Sequence, residues 1–513
     1  MIRPATLLRL ARAGTRTDTA RIALTGFAAA LATLAFLAAA TVIAVPTVVD
    51  QRNNRSPQYG PALLAEAGLR PGVAATLLLL AIPVLALAGQ CARLGAPARN
   101  SRLAAIRLAG GTPGQVRAIA ATETGLAAGI GALVGLAAYL IGRELLHRPD
   151  ANGLLPLPTD VLPPVWALLA IVAGIPLLAT VVAAAMLRQV TISPYGVHRR
   201  VRERRPGIWP GLLIVGGVVV SFLIRPLVEW IHRQQLGIPL WVVAVLAFTG
   251  ALATAIGVAG GTGWISYATG RLLLRAGRGP ATLLAARRLL TDPWHGARTF
   301  AGLLVCILFG AGTAGYGAYM TTEFDAWEQA DRQLAEQAGQ PYYPTEYDFY
   351  LNAVTLVQLA VLLGLIVAAG GLAVAVAESV VSRRRAHAAL VATGVPRSVL
   401  ARSILIQALA PLVPASLLAL ASGVTMARGL GTEVSSGARS LGYCEPADAC
   451  RTAADWEQYG RILETPGVTL GVPIPFADLA VLGGVGLLAA LATAGFGLLF
   501  LRGTTDLAEL RSG

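Results

Sequence analysis

The sequence predicts an all-α polytopic membrane protein of about ten transmembrane helices. Three observations carry that expectation. The 513 residues are 55% hydrophobic and only 13% charged, with a mean hydropathy of +0.64, too little charge for a soluble surface of that size, so lipid is part of the solvent. Apolar runs near the ~20 residues that a helix needs to cross hydrocarbon recur along the chain. The connections between those runs alternate in charge, as the positive-inside rule requires of a multi-pass protein.

In order, the spans are expected at residues 22–45, 73–89, 118–141, 165–187 and 208–224, then at 240–267, 300–320, 353–377, 403–426 and 476–501. Pro83, Pro176, Pro411 and Pro414 lie within or near them, and local kinks are expected there. All 41 basic side chains are arginines. Residues 1–21, 91–117, 188–207, 271–299, 378–402 and the tail after 501 hold about 29 of them against 6 acids, whereas the alternating connections hold about 12 against 20. The first set is therefore expected in the cytoplasm, with both termini. The first apolar run follows five arginines and superficially resembles a secretory signal. Its length and the nine spans after it point to a retained anchor.

Absent residue types exclude chemistry. Without lysine, the chain has no P-loop to reach the terminal phosphates of ATP and no Schiff-base nucleophile. Its five histidines, at 147, 198, 232, 295 and 387, form no pair at helical ligand spacing, and no C-x-x-C occurs, so no metal site and no enzyme active site are expected. The basic run Arg199, Arg200, Arg202, Arg204 and Arg205 is a topology signal that also attracts anionic lipid. No soluble module presents it to nucleic acid.

An internal duplication organises the chain. Residues 102–116 lie on residues 385–399 without a gap, and Arg102, Ala105, Ala109, Gly111, Pro113 and Val116 meet identical residues at Arg385, Ala388, Ala392, Gly394, Pro396 and Val399. Each copy reads as a short helix halted by a Gly, with a Pro two residues on, before the chain re-enters the membrane. A weaker echo links residues 7–21 with 283–298. The expected plan is a four-helix unit over 1–190, a two-helix linker over 191–275 and a second four-helix unit over 276–513.

The run R-x-x-x-I-R-L-x-G-G-T-P-x-Q-V-R, starting at Arg102 and followed by an apolar helix, resembles the FtsX-like permease domain of ABC transporters of the MacB type. The resemblance covers nearly the whole chain. Two such units joined by two helices are similar to the ten-helix permeases of the bacitracin-resistance type. Those carry a large external domain between helices seven and eight, where this chain has only residues 321–351.

The resemblance implies a permease subunit without cofactors of its own. ATP and Mg would be bound by separate cytoplasmic ATPase subunits, two per chain, docking on Arg102, Arg107, Leu108, Gly111, Thr112 and Pro113 in the first copy and on Arg385, Gly394, Pro396 and Arg397 in the second. Leu390 stands where the first copy has Arg107. The implied activity is export or extraction of an amphiphile, whether lipid, lipoprotein or hydrophobic peptide, at a bacterial cell membrane. Two alternatives stay open: an ATP-driven signalling protein that activates an external partner, and an ion-coupled secondary transporter.

Four further features carry expectations. Gly310, Gly312 and Gly315 match G-x-G-x-x-G inside an apolar span, where close helix packing is the expected role. Cys444 and Cys450 bracket a short acidic stretch in the longest external connection and are disulfide candidates, the alternative being two free thiols. Phe324, Trp327 and Leu334 fall near one helical face beside an acidic one, either as aromatic anchors of a solvated cap or as a contact for lipid or an external peptide or protein ligand. Glu123 sits inside the third span and is expected to face other helices.

Overall fold

The computed structural model describes residues 16–46, 56–66, 69–91, 106, 108–188, 207–234, 240–339, 341–344, 348–382, 389–444 and 460–504. All ten expected spans are helices: α1 (Arg16–Ala44), α2 (Arg70–Cys91), α3 (Pro113–Leu146), α4 (Val165–Arg188), α5 (Trp209–Arg233), α6 (Leu240–Ala276), α8 (Trp294–Gln337), α9 (Asp348–Ser382), α10 (Arg397–Arg428) and α11 (Phe476–Thr504). Among the described residues, nine are long and apolar enough to cross a membrane. α2 occupies the second expected span. A short amphipathic helix, α7 (Pro280–Thr291), buries Ala285, Ala286 and Leu289 against α6 and α10. The chain is an all-α multi-pass membrane protein.

In the first unit α1 is central, touching α2, α3 and α4; in the second α8 is central, touching α9, α10 and α11. Between the units α2 lies on α9, α2 also meets α8, and Ala28 of α1 packs with Val367 and Val374 of α9. The linker helices α5 and α6 pack on each other and cover the flank of the second unit formed by α8 and α10. The largest core lies there, around Leu303, Leu304, Ile307, Leu308, Leu365, Leu372, Leu412 and Ala419. The fourth helices differ: α11 packs on α8, α9 and α10, whereas α4 packs on α3 and α1 and leaves Val165, Trp166, Leu169 and Leu177 exposed to the surrounding lipid.

Small residues set the closest crossings, since helices in lipid associate through packing rather than through hydrophobic transfer. Gly26 meets Gly131 where α1 crosses α3, and Gly135 rests on Ala30 and Thr33. The glycines of the G-x-G-x-x-G run serve the same end. A side chain on Gly310 would strike Leu482 of α11 and Val361 of α9, Gly312 faces Gly423, and Gly315 faces Ala427 of α10.

Hydropathy located the hydrocarbon crossings and not the helix ends. α8 runs to Gln337, far past the expected end at 320, and its extension carries a β-ribbon absent from the expectation. In that ribbon β1 (Glu433–Ser435) pairs with β4 (Thr469–Gly471) and β2 (Arg439–Cys444) with β3 (Gly460–Thr465), all antiparallel. The two pairs join where Ser436 N–H donates to the Val468 carbonyl at 3.0 Å. Phe324 is buried, 5.7 Å from Trp327 and 5.4 Å from Tyr350 between ring centroids. The Arg439 guanidinium lies over Trp327 and pairs with Asp331 at 3.2 Å. The aromatic face is thus covered by α9 and the ribbon rather than offered to lipid. Cys444 closes β2 opposite Gly460, and Cys450 lies outside the described residues.

Candidate functional site: two turns and the helices they start

The duplicated segments form the same turn twice, at the same end of the bundle. In the first, Gly110 adopts φ +93° and Gly111 N–H donates to the Ile106 carbonyl at 2.9 Å. In the second, Gly394 adopts φ +89° and Val395 N–H donates to the Leu390 carbonyl at 3.1 Å. A glycine at positive φ with a bond reaching five residues back is a Schellman stop, which satisfies carbonyls the ending helix leaves open. One residue later a new helix begins. Thr112 caps α3 in a capping box: its hydroxyl accepts from Gln115 N–H at 3.3 Å, and the Gln115 side chain accepts from Thr112 N–H at 2.9 Å. Pro113 follows at the first helical position, where its missing N–H costs nothing. In the second copy Pro396 is the cap and Arg397 the first helical residue.

Matching the turns by geometry changes their register. The gapless alignment sets Gly111 on Gly394 and Pro113 on Pro396, but the backbone sets Gly110 on Gly394, Thr112 on Pro396 and Pro113 on Arg397. The inner packing agrees with the backbone. Val116 and Ala120 gather around Ile106, and their counterpart Leu400 gathers Leu390, Val395 and Ile404. The identities therefore mark a shared motif displaced by one residue, with the fold of the turn kept. Outward, Leu108 is 90% exposed, and Ala392, Thr393 and Arg397 are exposed in the second copy. Arg102, Arg107 and Arg385 lie outside the described residues.

Each turn starts a helix that runs the length of the bundle. α3 has 34 residues, about 51 Å at 1.5 Å per residue, and α10 has 32. Glu123 is 3% exposed within α3, as expected for a residue facing other helices. At its far end α3 holds the loop that leads to α4: Arg143 Nε donates to the Thr159 carbonyl at 2.5 Å, and His147 Nδ1 lies 2.8 Å from the Thr159 hydroxyl. That loop is stitched to the connection between α1 and α2. Tyr59 O–H donates to Asp160 at 2.8 Å, Gln58 Nε2 donates to the same carboxylate at 3.2 Å, and Leu155 N–H donates to the Gln58 carbonyl at 2.9 Å. α10 instead passes within five residues into the ribbon, from Arg428 to Glu433.

At the end of α3 opposite its cap, in the connection between α1 and α2, lies Arg70, which sequence reasoning missed. It is 4% exposed, and its guanidinium donates to Leu64 O at 2.7 Å, Val45 O and Pro46 O at 3.1 Å each, Ser56 Oγ at 2.5 Å and Ala65 O at 3.4 Å. The acceptors end α1 and the single helical turn Ala62–Ala65, so the cation sits on the negative ends of two backbone dipoles. The same side chain opens α2, where a cation is otherwise disfavoured.

Burial pushes the Tyr59 hydroxyl from 10.0 up to about 12. A raised pKa means that the folded protein holds this proton more tightly than the unfolded chain. The contribution is present below pH 10 and lost as pH climbs from 10 to 12. In a pH titration of tyrosinate absorbance, one phenol is expected to ionise near the top of that window, and Tyr59→Phe is expected to lack that late step.

No group of metal-ligating side chains occurs among the described residues. Cys306 is a buried free thiol within α8. No protein-family model matches the chain, and no curated protein matches it either.

Proposed function

We propose that this chain is the permease subunit of an ATP-driven ABC-type transporter, with the arginine-rich end in the cytoplasm and the acidic end outside. The observation that supports this most is the pair of matching turns, each continuous with a helix that reaches the opposite end. A subunit pressing on the first turn would displace α3, whose start the capping box ties to the turn, and pressure on the second would pass into α10, in which Pro411 and Pro414 are points where the helix can bend. The chain has no lysine for a P-loop, so the nucleotide belongs to that separate subunit. The cargo class favoured is an amphiphile taken from the outer leaflet. α4 and much of α3 present exposed apolar side chains suited to contact with lipid, and the described helices pack through small residues.

One observation favours a second reading, ATP-driven activation of an external partner: α10 leads almost directly into the ribbon, so motion of the second turn would reach an external surface. Removing residues 439–465 separates the two, because a regulator loses its partner while a transporter keeps ATPase assembly and flux.

The tagged chain, purified from its native membranes, is expected to bring down a P-loop ATPase at two copies per chain. Arg102→Glu combined with Arg107→Glu is expected to abolish that capture while membrane insertion stays normal. Undiminished capture by the double variant would contradict the docking role.

A further inference from the structure

We infer that the helical hairpin of α6 and α7 is a further docking element: it stands beside the second turn and, on the ATP-driven reading above on which this rests, receives an acidic surface of the ATPase subunit seated there. The height of the hairpin is set by tryptophans. Trp209 and Trp294 rest on α6 at Gly260 and Gly263, and Trp264 is exposed beside them. Tryptophans gathered at one level mark the membrane–water interface. From Trp264 α6 continues to Ala276, about 18 Å at 1.5 Å per residue, whereas headgroups add only about 5–8 Å to each side of the hydrocarbon. α7 folds back along that extension: Gly277 faces Thr282, Gly270 faces Ala286, Leu289 and Leu290, and Gly263 faces Trp294. The tip therefore stands in water, past the reach of lipid headgroups.

The second turn lies alongside at a similar height. α8 and α10 run parallel from this end and meet where Leu308 touches Gly423 and Gly315 touches Ala427. Counted back along both helices, the start of α10 falls on the order of 15 Å beyond Trp294. α7 packs on α10, so a subunit seated on the second turn meets the hairpin as well.

The exposed chemistry of the hairpin has one sign. Residues 264–294 carry five arginines and a single acid, Asp292, at the membrane end of α7. Arg271 lies over the Tyr267 ring at 5.7 Å, and Arg288 has a partner within the chain. Arg275, Arg278 and Arg287 are exposed and have no ion pair among the described residues. Arg275 suits the C-terminal end of α6, but Arg278 stands one residue before Gly279, the cap of α7, at the end of a helix that disfavours a cation. Arg271 and Arg275, four apart on α6, repel each other. Arg383, Arg384 and Arg385, which precede the second turn outside the described residues, carry the same sign. An acidic protein surface relieves this repulsion at a height where anionic lipid does not reach.

The full chain with its captured ATPase provides the test. Both tip arginines are exposed, so Arg275→Glu combined with Arg278→Glu is expected to keep the wild-type unfolding midpoint while the captured ATPase falls from two copies per chain to one. A photo-crosslinking benzophenone residue at position 276 is expected to yield an adduct with that ATPase. A double variant that keeps both copies, or an adduct at 276 with lipid alone, overturns the role of the hairpin and leaves the ATP-driven reading standing. A wild-type chain that captures no ATPase overturns both.

Discussion

Replacing Arg70 with leucine is expected to lower the unfolding midpoint in detergent more than any other removal of a single hydrogen-bonding side chain described above. The guanidinium satisfies four backbone carbonyls and one hydroxyl with its five N–H donors. Leucine, shorter by the whole guanidinium, removes every donor and leaves those acceptors beside an apolar cluster of Val42, Val45, Tyr59, Leu64 and Ala74. Each buried acceptor left without a donor costs about 1–3 kcal/mol, and water recovers part of that, so a loss on the order of 3–5 kcal/mol is expected. Arg70→Lys, with three donors on a point charge, should fall between. The loss should be local first: proteolysis within 46–70 is expected to accelerate before the bundle opens. An unchanged midpoint for Arg70→Leu would mean that the carbonyls reach water without the arginine.

The second large effect is expected at Gly131. A β-carbon there would overlap the Gly26 carbonyl oxygen and crowd the Gly26 α-carbon, both of them backbone. No rotamer relieves such an overlap, so even Gly131→Ala must push α1 and α3 apart, and Gly131→Leu more so. Overpacking usually costs about 1–3 kcal/mol, and separating two backbones lies at or beyond the upper end. Gly423 should behave alike, since its β-carbon would overlap the Leu308 carbonyl oxygen. Gly142, on the same helix as Gly131, has nothing within 4 Å of such a carbon. Gly142→Ala should therefore be neutral or slightly stabilising through helix propensity. Thermal unfolding of the three alanine variants in one detergent decides the matter. Equal midpoints for Gly131→Ala and Gly142→Ala would refute the close crossing.

Spans were legible because a hydrocarbon slab imposes a length and a composition that few other constraints produce. Helix ends were less so. α3 begins at Pro113, five residues before its apolar run, because Thr112 and Gln115 form a cap that hydropathy does not register. α8 continues through Glu323, Asp325 and Glu328 because a helix outside lipid needs only one buried face, here Thr322, Phe324, Ala326 and Ala330. The ribbon was hidden for a similar reason: its strands are short and mix Arg, Ser, Gly and Glu, so no run of alternating apolar residues announces them.

The turns were found by their identities, yet their phase was not. Positive φ belongs to Gly110, and a Gly-Gly pair offers two candidates that only the hydrogen bonds distinguish. Arg70 was missed because an arginine beside a span reads as a solvated topology signal. Its burial depends on carbonyls brought from 45, 46, 64 and 65 by the folded chain. The apolar G-x-G-x-x-G run was read correctly as packing because its setting, a span with no preceding strand, outweighed its pattern.

Under the proposed function the two turns are levers moved by a separate cytoplasmic ATP-driven subunit. Spin labels carried on unnatural amino acids at Ala109 and Thr393 report the separation of the turns directly, in lipid nanodiscs holding the chain and its captured ATPase. With a non-hydrolysable ATP analogue and Mg, the distribution should shift to shorter distances and return when nucleotide is removed. A distribution that stays fixed while the ATPase is bound and saturated with nucleotide would contradict the account.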